Sequence, residues 1–86
     1  MHFNLNDIFY DFMECYTIDF WSNRPKILPT NKNDRYYRYL RTEIHEWMVY
    51  HSIKYILHHE LVGSVDCWSL EIPTGSDAML FKLTWL

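Results

Sequence analysis

Four histidines lie between positions 45 and 59, with Glu43, Glu46 and Glu60 among them. Imidazole and carboxylate are zinc-ligand types, so metal chemistry is the first thing this stretch invites. A metallohydrolase helix carries His-Glu-x-x-His, which puts two histidines one turn apart and leaves the glutamate to activate a bound water. Here the order is His45-Glu46-Trp47-Met48-Val49-Tyr50-His51. Six helical residues leave the two rings about 120° apart, so one helix cannot bring both to an ion. His51 and His58 share a helical face but stand two turns apart. The set therefore reads as surface and helix-end histidines, with no metal and no cofactor assigned. His58 and His59 close to a helix C-terminus would favour the dipole when protonated.

Nucleophilic catalysis needs a serine or cysteine beside a base and an orienting third group. Cys15 sits at the edge of an apolar stripe and reads as a small core residue, and Cys67 follows Asp66, whose charge disfavours a thiolate. With Gly63 and Gly75 as the only glycines, the chain holds no nucleophile elbow, phosphate loop or dinucleotide fingerprint. The sequence reads as non-enzymatic.

Binding chemistry is better represented. Six of the eight Lys and Arg residues fall between 24 and 41: Arg24, Lys26, Lys32, Arg35, Arg38 and Arg41. Tyr36, Tyr37 and Tyr39 are interleaved with them. Arginines beside aromatics contact phosphates and stack on bases, or they meet an acidic patch on a protein. The competing reading is a solvated face, with Asp34 pairing Arg38 at i+4. Aromatics make up 19% of the chain, more than a small core readily hides, so some must stand at the surface as contact anchors. The residues assigned to a partner surface are Trp21, Arg35, Tyr36, Arg38, Tyr39, Arg41 and Tyr50. Phe9, Phe12, Trp47, Trp68 and Phe81 are assigned to the core.

The elements that would position these residues read as α+β, in one domain spanning 1–86. Leu5, Ile8, Phe9, Phe12, Met13 and Tyr16 recur at helical spacing and predict an N-terminal helix over 5–16, capped by Asn4. Thr17–Trp21 predicts a short strand. Ser22–Asp34, with Pro25 and Pro29, predicts a loop in which Lys26-Ile27-Leu28 adds a brief extended piece. A helical pattern then runs from 35 to as far as Val62, closed by Gly63. Its apolar stripe changes side near Tyr50–Ser52, which predicts a kink or break there. An alternation through Trp47, Val49, His51, Ile53 and Tyr55 also suits a strand, against which stands the absence of Gly and Pro from 35 to 62. Asp66, Trp68, Leu70 and Ile72 against Met79, Phe81, Leu83 and Trp85, around Pro73–Asp77, predict a C-terminal antiparallel hairpin.

Eighty-six residues bound the chain to one domain, and 49% hydrophobic residues make it globular rather than disordered. A net charge of −3 argues against a general polyanion binder. No apolar run approaches the ~18 residues that span a bilayer, and the first residues lack an export signal. Two cysteines suit reduced thiols in the cytoplasm. These observations together predict a small protein-binding module. By analogy of type alone, it suits the stoichiometric inhibitors that viruses of bacteria direct at host or defence proteins such as CRISPR-like nucleases. A homodimer is a variant of that reading. The alternative is a nucleic-acid-binding accessory protein that uses segment 24–41.

Overall fold

The first apolar residues do not build a helix over 5–16. In the computed structural model, which describes residues 1–86, His2–Asn4 is a strand (β1) and only Phe9–Phe12 is helical (α1). The chain then runs directly into a second strand, Met13–Thr17 (β2). Leu5, Phe9, Phe12 and Met13 are all buried, as the periodicity requires, but not from one helix. The reason is tertiary. Phe12 to Ile18 is aromatic or β-branched at four of seven positions, so it fits a pleated surface as well as a helix, and pairing with a distant strand decides the matter. That strand is Tyr36–Leu40 (β4), with Met13 opposite Leu40 and Thr17 opposite Tyr36. Lys26–Ile27 (β3), inside the expected loop, pairs with the other side of β4 and buries Ile27. The order β2-β4-β3 makes one antiparallel sheet, here sheet B.

The long central helix is absent as well. Residues 36–40 form the strand β4, and the helix after it, Thr42–Tyr50 (α2), buries Ile44 and Met48 at i, i+4. Its end is well defined. Ser52 takes a left-handed conformation (φ 56°), its N–H reaches the Val49 carbonyl (3.0 Å), and the Ile53 N–H reaches Met48 (2.8 Å). This is the Schellman arrangement, completed by contact of the buried pair Met48 and Ile53. The position that glycine usually fills is held here by serine, which is why the stop is hard to read in sequence. The next element is a strand, Ile56–Val62 (β5), rather than a second helix. Gly63 does not end a helix. It opens the two-residue turn to Val65–Glu71 (β6), with φ 65° at its first central position, where a type II′ hairpin favours glycine.

β6 lies between β5 and β1, in the order β1-β6-β5, and completes sheet A. Both sides of β6 are thus paired, so the expected C-terminal hairpin has no free edge to add to. Residues Gly75–Trp85 form a helix instead (α3). The alternation at Met79, Phe81, Leu83 and Trp85 misleads because Ala78 and Leu80 between them are apolar too. Ala, Met, Leu and Lys are also good helix formers. Ala78, Phe81 and Trp85, at i, i+3 and i+7, turn toward the core. Phe81 is fully buried and meets Phe3 at 5.1 Å, Phe12 at 6.2 Å and Trp47 at 6.3 Å, which joins α3 to β1, α1 and α2. Sheet therefore outweighs helix, and the expected α+β arrangement of helices gives way to two small sheets with short helices. No helix is long and apolar enough to cross a membrane.

Candidate interaction surface

Strand periodicity sorts the segment 24–41. On β2 and β4, Met13 and Leu40 turn inward, whereas Glu14, Tyr16, Tyr37 and Tyr39 turn to the other side of sheet B. The loop after β2 folds over that side. Phe20 stacks on Tyr16 at 4.2 Å, and the Arg24 guanidinium sits 4.8 Å from the Tyr39 ring and 5.4 Å from Tyr16. Arg24 is only 9% exposed and donates to Glu14 Oε1 at 2.9 Å and to Thr42 Oγ1 at 3.0 Å. The same carboxylate oxygen accepts from the Tyr16 hydroxyl, the Thr42 hydroxyl and the Thr42 backbone N–H. Thr42 is the first residue of α2, so Glu14 supplies from β2 the anionic cap that Arg41 does not provide. Burial alone would raise the Glu14 carboxyl. The hydrogen bonds from Thr42, Arg24 and Tyr16, with the Arg24 charge, outweigh it and hold the group below the ordinary carboxylate range.

The residues expected at a partner surface are consequently divided. Trp21 (80% exposed) and Tyr50 (83%) are fully available, and Tyr36 and Arg35 are exposed. Tyr39 is completely buried beneath Arg24 and presents nothing to a partner. Arg38 is tied to Asp34 at 2.7 Å, and Arg41 lies 3.7 Å from Glu43. The arginine stripe needed a helix at 35–41. In the strand that stands there, Tyr36 and Arg38 face one side and Tyr37 and Tyr39 the other. Lys26 rests over the Tyr37 ring at 4.6 Å. Cys15, read as core, is exposed on β2.

The histidines scatter, with one exception. His45 turns inward, and its Nδ1 lies 2.8 Å from the Tyr55 hydroxyl. Burial pushes the Tyr55 hydroxyl up, so it keeps its proton and pairs with the imidazole as a neutral phenol. Burial, reinforced by the Arg24 charge and opposed by Glu46, lowers His45. This pair forms part of the wall of an apolar groove of about 440 Å³ between α2 and the start of β5, lined also by Pro25, Val49, Ile53 and Pro73. His51 caps the end of α2. His59 pairs with Asp66 at 2.9 Å and stacks on Trp68. His58, on the opposite side of β5, meets His2 and Glu71, two residues that carry no metal-binding signal in the sequence. These three are the one group of potential metal ligands brought close together.

The outer side of α3 is an apolar surface that the expected C-terminal hairpin did not contain. With Ala78, Phe81 and Trp85 turned inward, the 3.6-residue period points Ser76, Met79, Leu80, Leu83 and Leu86 outward. None carries a charged side chain, and Leu83 at the centre is 78% exposed. Trp47 of α2 meets Trp85 of α3 edge-to-face at 6.0 Å, so the α2 flank that carries Trp47 and, one turn on, Tyr50 borders this surface. The signal is present in the sequence as Ala78-Met79-Leu80-Phe81, an apolar run that a half-buried strand would not contain.

No protein-family model, curated protein or solved structure matches this chain.

Proposed function

We propose that the protein acts by binding another protein through the outer face of α3 and the adjoining Tyr50 flank of α2, without catalysing a reaction. One observation carries this reading: a surface helix that is apolar on both sides. Surface helices ordinarily put charge on the face turned away from the core, and a contiguous uncharged face marks a surface built to be covered. Covering Leu83, 78% exposed, is worth about 1.5–2 kcal/mol, and covering the half-exposed Met79 about 1 kcal/mol, before the costs of association. Glu43 and Glu46 lie on α2 with Tyr50, and the chain as a whole is acidic. The partner that fits is therefore a protein surface with an apolar centre and a basic border.

Nucleic acid fits less well. Arg24, Arg38 and Arg41 are each engaged by a carboxylate, leaving only half of the six cations between 24 and 41 uncommitted to an ion pair. Both cysteines are free, which accords with the reducing cytoplasm in which we place the protein.

Leu83→Asp is the test. Its side chain lies outside the core, so the loss of stability should stay within about 1 kcal/mol, the helix-propensity and dipole cost of an aspartate in the last turn. A partner isolated with the wild-type chain and shown by calorimetry to bind it one-to-one should bind the variant at least 100-fold more weakly. Equal affinity for the two chains would remove α3 from the interface. A wild-type dimer that Leu83→Asp turns into a monomer would replace the foreign partner with a second copy.

A further inference from the structure

Sheet A turns Phe3, Leu57 and Leu70 inward toward α3, so alternate residues on the same strands point away from it. The register sets His2 of β1 directly opposite Glu71 of β6, and His58 of β5 opposite Ser69, one diagonal step from Glu71. Three adjacent strands thus each contribute one donor to the same open face. His58 Nε2 lies 2.7 Å from Glu71 Oε1, His2 Nε2 lies 4.0 Å from Glu71 Oε2, and all three ligand atoms fall within 4.8 Å of one another.

We propose that His2, His58 and Glu71 form a three-ligand site for a divalent transition-metal ion, zinc foremost. The donor set is two imidazoles and a carboxylate, borderline ligands that suit zinc far better than magnesium or calcium. Tetrahedral coordination with bonds of about 2.0–2.1 Å sets ligand atoms about 3.4 Å apart. The observed 2.7 and 4.0 Å bracket that value, so small side-chain rotations complete the geometry on a backbone already fixed by the ladder. A second observation points the same way. The hollow that His2 and His58 line also takes in Asn4, Glu60, Cys67 and Ser69, and no lysine or arginine enters it. Glu71 has no ion pair except with these two histidines.

Three protein ligands leave one position for water. The ion would clamp β1 to β5 across β6, two strands that share no hydrogen bonds. The site lies on the opposite side of sheet A from α3 and does not depend on the binding role proposed for that helix.

Titration of the whole chain with zinc chloride in a calorimeter tests the site. We expect one ion per chain with micromolar affinity, and a rise in the unfolding midpoint when zinc is present. His2→Ala, His58→Ala and Glu71→Gln should each weaken binding at least tenfold, while His51→Ala should leave it unchanged. Imidazole nitrogen NMR should report coordination through Nε2 of both His2 and His58. Affinity weaker than about 1 mM would overturn the assignment. So would wild-type affinity in any of the three ligand variants with a native amide spectrum, or in a chain whose imidazoles show no shift.

Discussion

The two sheets have the same number of strands and the same antiparallel plan, yet they use their outer faces in opposite ways. On sheet B the outward residues are folded over by the loop after β2 and engaged with one another. Glu14 accepts from Arg24, Tyr16 and Thr42, and the Arg24 guanidinium is held against Tyr39 and Tyr16. On sheet A no element folds over the outward residues, and His2, His58 and Glu71 converge with no lysine or arginine among them. Residue type alone therefore does not make a site. The richest run of cations in the chain is largely used within the fold, whereas His2 and Glu71, of little note in sequence, join His58 on an uncovered face.

Arg24 is the residue that most ties the covered face of sheet B together. Removing a partner from a fully buried ion pair costs about 3–5 kcal/mol, and solvent reaching the 28% exposed Glu14 side chain reduces that. Arg24→Ala should therefore lower unfolding stability by about 2 kcal/mol in urea denaturation, with α2 loosened at Thr42. A loss below about 0.5 kcal/mol, the range of an ordinary surface substitution, would mean that the covered face contributes little to the fold.

Acid offers a smaller and graded version of the same test. Glu14 is depressed below its ordinary value of 4.5, so its stabilisation is present above that pH and is lost as pH falls through the folded value. His45 is also depressed, from 6.5. The folded state disfavours its charged form, so stability declines as pH drops below about 6.5 and the unfolded chain takes up the proton first. Stability measured from about pH 7 to pH 3 should fall in two stages. Glu14→Gln should shrink the lower stage, to which the depressed carboxyls of Asp34 and Glu71 also contribute, and His45→Gln should flatten the upper; an unaltered curve in both variants would exclude Glu14 and His45 as its source.

The smallest effect belongs to sheet A. Glu71→Gln, a carboxylate-to-amide change like Glu14→Gln, should lower the metal-free unfolding midpoint by less than Glu14→Gln does, because the histidines it pairs with are 60% and 40% exposed whereas Arg24 is 9% exposed. A drop as large as that of Glu14→Gln would show that the open face is as structural as the covered one, and the contrast between the sheets would vanish.

Sequence separation governs how much of the molecule is legible from its residues alone. The apolar inventory is legible: Phe9, Phe12 and Phe81 are buried as assigned, and Trp47 and Trp68 pack against the core. The extended piece at Lys26–Ile27 is legible too, between two prolines. Element types are not, because Met13–Thr17 and Tyr36–Leu40 are strands by virtue of each other, and neither declares it alone. The Schellman stop at Ser52 lacks its glycine, and α3 resembles a strand because residues on every side of it are apolar. The sites are less legible still. Glu14 and Thr42 are 28 residues apart, and His2 and Glu71 meet only through the ladder that joins opposite ends of the chain.

That last pairing constrains how the chain is made. Sheet B needs nothing beyond Leu40, so it can assemble once the first half of the protein has emerged from the ribosome. β1, which ends at Asn4, has no partner until β6 is complete at Glu71. At about 5–20 residues per second it waits several seconds with its backbone unpaired. Sheet A therefore cannot be complete until Glu71 has been made, whereas every strand of sheet B is present by Leu40.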